Sequence, residues 1–260
     1  MAEQEVPPLI RSKPMNGGDG PHSYSKNSYY QRGAIEATKK MINEAVKEKF
    51  DLENTYFNTS KTIQIADLGC STGPNTFFTV ENIIEAIILK YQDEDISTSS
   101  KNLEFQVFFN DHADNDFNTL FRTLSSPPKY FAAGVPGSFY LRLFPQSSIH
   151  FAHTSYAVHW LSKVPREVID ENSSAYNKDS IQCSGFNIEV AKAYASQFKN
   201  DLNNFLNVRA QELVPGGLMV IIISVLLDGV LMAKSTIGMC YDFLGSCLKD
   251  MANLVRNYNP

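Results

Sequence analysis

Two acids in this chain stand at turns of a kind that bind ligands. Asp67 opens the run Asp67-Leu68-Gly69-Cys70-Ser71-Thr72-Gly73, a D-x-G-x-x-x-G placed where a β-branched stretch passes into a helical one. Glycines at such a turn let the backbone approach a ligand, and the following helix N-terminus offers unpaired N–H donors. A dinucleotide site asks for G-x-G-x-x-G, with its second glycine against the pyrophosphate. Here an acid precedes the first glycine and the spacing differs. A carboxylate in that place suits a ligand bearing an ammonium group, such as the methionine part of S-adenosylmethionine. The same turn also occurs as plain structure. The second acid, Asp111, follows Asn110 at the end of the next apolar run. It can accept hydrogen bonds from two ribose hydroxyls, or simply cap the turn that follows. Further on, Tyr156, His159 and Trp160 fall at i, i+3 and i+4. A helix there places all three on one face just past a strand's carboxyl end; core packing is the ordinary use of such an aromatic stripe.

The elements that must position these groups are legible from periodicity. A helix is predicted over 27–50, with Ile35, Thr38, Met41/Ile42, Ala45/Val46 and Phe50 on one stripe. TIQIADLGC (62–70) reads as a strand, and Pro74-Asn75 opens a helix burying Phe77, Val80, Ile83/Ile84 and Ile87/Ile88. Further strands are expected at 103–111, 130–133 and 148–156. A long helix over 187–213, with Val190, Tyr194, Phe198, Leu202 and Phe205/Leu206 inward, breaks at Pro215-Gly216-Gly217 and feeds the strand LMVIIIS. Strands apolar throughout, alternating with helices, mean a mostly parallel α/β sheet covered on both faces. The boundaries predicted are an irregular arm at 1–26, a core at 27–227 and a helical segment at 228–260.

Composition narrows the function. The 260 residues carry 23 Lys+Arg against 28 Asp+Glu, a net charge of −5. A phosphate-tracking surface needs the opposite balance, so nucleic acid is not an expected partner. Cys70, Cys183, Cys240 and Cys247 contain no CxxC pair and read as reduced thiols of a cytoplasmic protein. The longest apolar run, Leu218 to Leu227, ends at Asp228 and is too short to span a bilayer, so no membrane is expected either.

Five blocks, MNGGDGPHSYSKNSYYQR (15–32), ADLGCSTGPNTF (66–77), NDHADNDFNTLF (110–121), GVPGSFYLRLFP (134–145) and HTSYAVHWLSKVP (153–165), together resemble the plant SABATH family. Its members are S-adenosylmethionine-dependent methyltransferases that esterify small carboxylic acids or N-methylate xanthine alkaloids. The resemblance implies a Rossmann-like class I methyltransferase fold with a partial helical cap. It places cofactor contacts on Ser28, Asp67, Asn75, Asp111, Ser138 and Phe139, with the last two flanking the adenine. Substrate contacts fall on Tyr24, Gln31, Tyr156, His159 and Trp160. A small carboxylic-acid substrate, S-adenosylhomocysteine as product and a homodimer are implied in the same way. A carboxylic acid of pKa ~4 is already ionised at neutral pH, so ester formation needs no general base. Gln31 and Trp160 are then the expected donors to its oxygens, His159 a third polar group, and Tyr24 a cation–π face for the sulfonium.

The chain also departs from that family. The resemblance implies roughly another hundred residues and a seven-stranded sheet in the order 3-2-1-4-5-7-6, whereas five strands are legible. LMVIIIS is therefore expected as an unpaired apolar edge, and the chain as a truncated member. A weakly catalytic remnant that only binds cofactor or a partner, N-methylation of a xanthine-like ring, and a nicotinamide oxidoreductase are the alternatives. Of the family's magnesium residues only Asn177 has a match, so no metal is assigned.

Overall fold

The computed structural model describes residues 13–50, 62–93, 103–125, 129–178, 187–230 and 232–257. Cys183 and the first twelve residues of the arm lie outside them. The chain forms two compact units, one of Ser12–Trp160 with Leu202–Ile223, the other including Leu161–Asp201 and the residues from Ser224 onward.

In the first unit a short helix α1 (Tyr24–Asn27) leads into α2 (Tyr29–Lys49). There follow β1 (Thr62–Leu68), α3 (Asn75–Asp93), β2 (Glu104–Asp111), α4 (Phe117–Thr123), β3 (Phe131–Pro136) and β4 (Ile149–Ser155). A long helix α5 (Ile188–Glu212) runs directly into β5 (Leu213–Ile222). The strands form one parallel sheet in the order β3-β2-β1-β4-β5; the apolar runs predicted the parallel sheet, and the order agrees with the first five strands of the one the family resemblance implies. Alternation along each strand divides the core in two. Ile63, Ile65, Val107, Phe109 and Phe151 pack with Ile42, Val46, Val80, Ile83 and Ile87 of α2 and α3. Ala66, Leu68 and Ala152 pack on the other side with Phe205 of α5 and Tyr140 and Phe144 of the loop after β3. Met41, predicted inside, is exposed, while Ile42 beside it is buried.

Pro215-Gly216-Gly217 does not interrupt the last strand. The chain absorbs the three residues as a register shift, Ile149 pairing with Leu213 and Phe151 with Leu218. Gly216 has φ +80°, and a Cβ on Gly217 would lie 2.9 Å from the Val214 oxygen, so a β-bulge is the only strand these residues allow. Beyond it Leu218, Val220 and Ile222 face one core and Met219, Ile221 and Ile223 the other. Among the described residues β5 has no partner on its outer edge.

In the second unit Val168, Ala175 and Val190 form a small core. Asp201 is buried there, accepting from the Ser162 amide at 2.9 Å and its hydroxyl at 2.7 Å. The chain ends its described part in α6 (Thr236–Asn257). Among the described residues no helix is long and apolar enough to cross a membrane.

Candidate active site

The parallel order puts the carboxyl ends of β1, β2, β3 and β4 side by side. The chain crosses between β1 and β4, the place where open α/β sheets bind ligands. Asp67 is the penultimate residue of β1 and is buried. Its Oδ1 lies 2.7 Å from His153 Nδ1, and its Oδ2 accepts from the Thr76 hydroxyl at the start of α3. With a carboxylate as partner, the His153 proton sits on Nδ1. Neither partner was foreseen. His153 lies inside a strand of mixed apolar and polar residues, and it is the β1–β4 register, Asp67 opposite His153, that brings the two together.

Asp111 closes β2. Its Oδ2 accepts from the Ser71 amide and its Oδ1 from the His112 amide, both at 2.7 Å. The second bond is the turn cap, so capping and facing the glycine turn coexist in one side chain. Burial pushes the Asp111 pKa up from its ordinary value, against the pull of those two amides. The glycine turn itself is tight. Ser71 has φ +55° and Gly69 φ +83°, and a Cβ on Gly69 would come 2.3 Å from Ala157 Cβ. Only glycine lets the turn after β1 touch the turn after β4.

The arm closes over the same ends. Asn75 Nδ2 donates to the Ser28 oxygen at 3.1 Å and to its hydroxyl at 3.0 Å. The Tyr24 hydroxyl bonds the Asn75 side chain and feels Asp67 and Asp111; burial raises its pKa, so it stays a neutral phenol. Gly18 N donates to Asp116 Oδ2 at 2.9 Å, tying the arm to the cap of α4. Gln31, on α2, is half-buried with Oε1 lacking a protein partner. After β3, Asn110 Nδ2 holds the Val135 and Gly137 oxygens at 2.7 and 2.9 Å, which sets Ser138 and Phe139 next to the β2 tip.

Tyr156, His159 and Trp160 do meet, but not on a helix. Residues 156–160 form a turn, because Tyr156 leaves β4 with φ +53° while its amide donates to the Ile222 oxygen at 2.9 Å. The left-handed residue ends any helical continuation. The rings still pack: Tyr156 forms T-shaped pairs with Tyr30 at 5.8 Å and with His159 at 6.4 Å, and His159 lies tilted beside Trp160 at 5.8 Å. His159 and Trp160 are exposed, and partial desolvation lowers the His159 pKa.

Around these groups several buried polar atoms have no protein partner: the hydroxyls of Ser71 and Thr72, Oδ1 of Asn115 and Nε2 of His153. Buried polar atoms are normally satisfied, so this set fits a polar ligand lodged at the glycine turn. Among the described residues no group of three or more His, Cys, Asp or Glu side chains is placed to hold a metal ion. Asn177 donates its amide to the Val168 oxygen in the second unit.

A five-stranded parallel sheet with an acid before the first glycine turn makes this a Rossmann-like α/β protein with its ligand edge at the strands' carboxyl ends. The particular family follows from comparison: the model of the SAM dependent carboxyl methyltransferase family matches residues 11–255, and the chain belongs to that family. It is 53% identical to loganic acid O-methyltransferase of Catharanthus roseus over 95% of this chain and 66% of that protein. It is 47% identical to paraxanthine methyltransferase 2 of Arabidopsis thaliana over 92% of this chain and 66% of that one. The solved structure of a loganic acid methyltransferase with SAH superposes with a TM-score of 0.86 at 54% identity, covering 92% of this chain and 67% of the other. The chain thus spans about two thirds of the length of these relatives.

Proposed function

We propose that this chain transfers the methyl group of S-adenosylmethionine to the carboxylate of a small plant acid, giving a methyl ester. The observation that carries the reading is the pair of half- to fully buried acids, Asp67 and Asp111, on adjacent strand tips, with the aromatic turn packed against the same glycine turn. S-adenosylmethionine supplies a methyl group on a positively charged sulfur. Asp67, braced by His153 and Thr76, takes the ammonium end, and Asp111 takes the ribose hydroxyls. Ser138 and Phe139 flank the adenine, and Ser28 and Asn75 close the pocket from the arm. Tyr24, a neutral ring whose hydroxyl feels both acids, offers its face to the sulfonium.

The acid arrives ionised, so the protein has only to hold and desolvate it. The Gln31 amide and the Trp160 indole N–H are assigned to its oxygens, with Tyr156 and His159 walling the same space. Loganic acid, the acid in the names of two similar proteins, heads the list of substrates. The similarity to a paraxanthine methyltransferase, together with the neutral His159, favours a xanthine nitrogen as the second reading. A homodimer and a cytoplasmic location rest on the family resemblance and on the scattered cysteines.

Calorimetry with S-adenosylhomocysteine and a methyl-transfer panel of plant acids and xanthines test this. Micromolar binding with ester formation is the expected result. Binding with no transfer to any acid would make the chain a cofactor-binding protein instead, and absence of binding would remove the reading altogether.

A further inference from the structure

Arg209 and Glu212 sit three residues apart on the last turn of α5, and each side chain is only 1% exposed. Charges so deeply buried are costly unless paired and fully hydrogen-bonded. Arg209 Nε lies 2.8 Å from Glu212 Oε2. The hydrogen bonds of the two side chains all go to the backbone of one loop. Arg209 Nη1 donates to the Phe139 oxygen at 2.8 Å and Nη2 to the Leu141 oxygen at 2.9 Å. Glu212 Oε1 accepts from the Leu143 amide at 2.6 Å and the Phe144 amide at 3.1 Å. The guanidinium also lies over the Phe205 ring, 5.4 Å from its centre, and that ring meets Phe139 at 5.9 Å. The middle of the same loop reaches the other side of the site: the buried Tyr140 hydroxyl lies 2.8 Å from the Trp160 oxygen and 3.2 Å from the Val158 oxygen. One loop therefore carries Phe139 at one end, is fixed along its length by an ion pair, and is tied through Tyr140 to the turn that bears His159 and Trp160.

We propose that Arg209, Glu212 and Tyr140 are positioning residues: the ion pair sets the loop that flanks the methyl donor, and Tyr140 transmits that setting to the acceptor turn, so that filling the donor site orders Trp160. This rests on the assignment of Phe139 and Trp160 to the two sites of the proposed reaction. None of the three touches the reacting atoms. A residue needed only for folding would change melting temperature alone; a coupling residue separates donor binding from the response of the acceptor turn.

Trp160 is the single tryptophan of the chain, which makes the response directly readable. In the wild type, saturating S-adenosylhomocysteine should protect Trp160 from acrylamide quenching. Tyr140→Phe keeps the ring and removes the hydroxyl. It should bind S-adenosylhomocysteine within about twofold of wild type, since the ring packing on Phe139 is kept and only neutral hydrogen bonds to the acceptor turn are lost, yet show no protection of Trp160. Arg209→Lys replaces the fork by a point donor and should weaken S-adenosylhomocysteine binding about tenfold while also losing the protection. Glu212→Gln, which keeps the acceptor for the two amides, should lie between. Equal protection in wild type and Tyr140→Phe, or none in the wild type, overturns the coupling. Asp67→Asn serves as the control for the site: if it binds S-adenosylhomocysteine as well as wild type, the assignment of the donor pocket is at fault rather than the coupling.

Discussion

The tips of β1 and β2 and the turn after β4 are built in opposite ways. At the tips the polar groups are half- to fully buried and individually bonded: Asp67 to His153 and Thr76, Asp111 to two amides, Asn75 to Ser28. On the turn, His159 and Trp160 are exposed, and the turn is held through its backbone, by the Tyr140 hydroxyl, the Ile222 oxygen and the bond from the Trp160 amide to the Ala157 oxygen. The side chains of the turn meet one another through ring contacts. A hydrogen-bonded strand end cannot be altered without disturbing the sheet, whereas rings on a backbone-held turn can be exchanged one at a time. That suits a constant methyl donor at the tips and an acceptor that differs from relative to relative.

Substitutions can break or sharpen this contrast. The largest effect is expected from Asp67→Asn, which removes the charge and keeps the shape; S-adenosylhomocysteine affinity measured by calorimetry should fall about 100-fold. His153→Ala should cost about tenfold in the same titration by freeing the Asp67 carboxylate. His153→Asn, whose amide can stand in for the Nδ1 donor, should restore most of it; failure of that rescue would reduce His153 to a packing residue. Trp160→Phe should raise the KM for the acid roughly tenfold while leaving S-adenosylhomocysteine affinity unchanged. An equal loss of S-adenosylhomocysteine affinity would place the Trp160 side chain in the donor site as well as the acceptor site.

A smaller effect concerns pH. Burial holds the His150 pKa down at about 4, and its Nδ1 accepts from the Gln64 amide at 3.0 Å, a bond that only a deprotonated Nδ1 can make. The folded pKa lies below the unfolded value of about 6.5, so the unfolded chain takes up the proton first. Stability is then complete above pH 6.5 and is lost as pH falls towards 4. Thermal melts should show a drop of a few degrees across that window, and a flatter profile in His150→Asn.

How far the sequence could be read depended on whether each residue's partner was local. β1, β2 and β4 lie within a residue or two of the apolar runs that predict them, and α2, α3 and α5 lie where their stripes predict them, although Met41, Ile88 and Leu206, expected inside, are exposed. The two acids stood out because each ends such a run beside glycine or a turn. The 156–160 segment was misread because i, i+3, i+4 spacing describes a helix only if the backbone stays right-handed, and the bond from Tyr156 to Ile222 on β5 dictates otherwise. Arg209 and Glu212 were missed for a related reason. The buried residues of the last three turns of α5 are Phe205, Arg209 and Glu212, and a search for apolar periodicity passes over a buried stripe with two charged residues in three.

The sequence alone determined an α/β protein with a parallel sheet, an acid-bearing glycine turn, and five motif blocks that identify the family. These are matters of spacing within a few residues, where side-chain type and backbone preference act directly. Tertiary structure alone decided the register of β1 on β4, so that Asp67 meets a histidine 86 residues away, and that the end of α5 closes on the loop beside Phe139. Such pairings are set by the crossovers of the sheet, and a crossover joins residues whose separation along the chain carries no trace of the contact they will make.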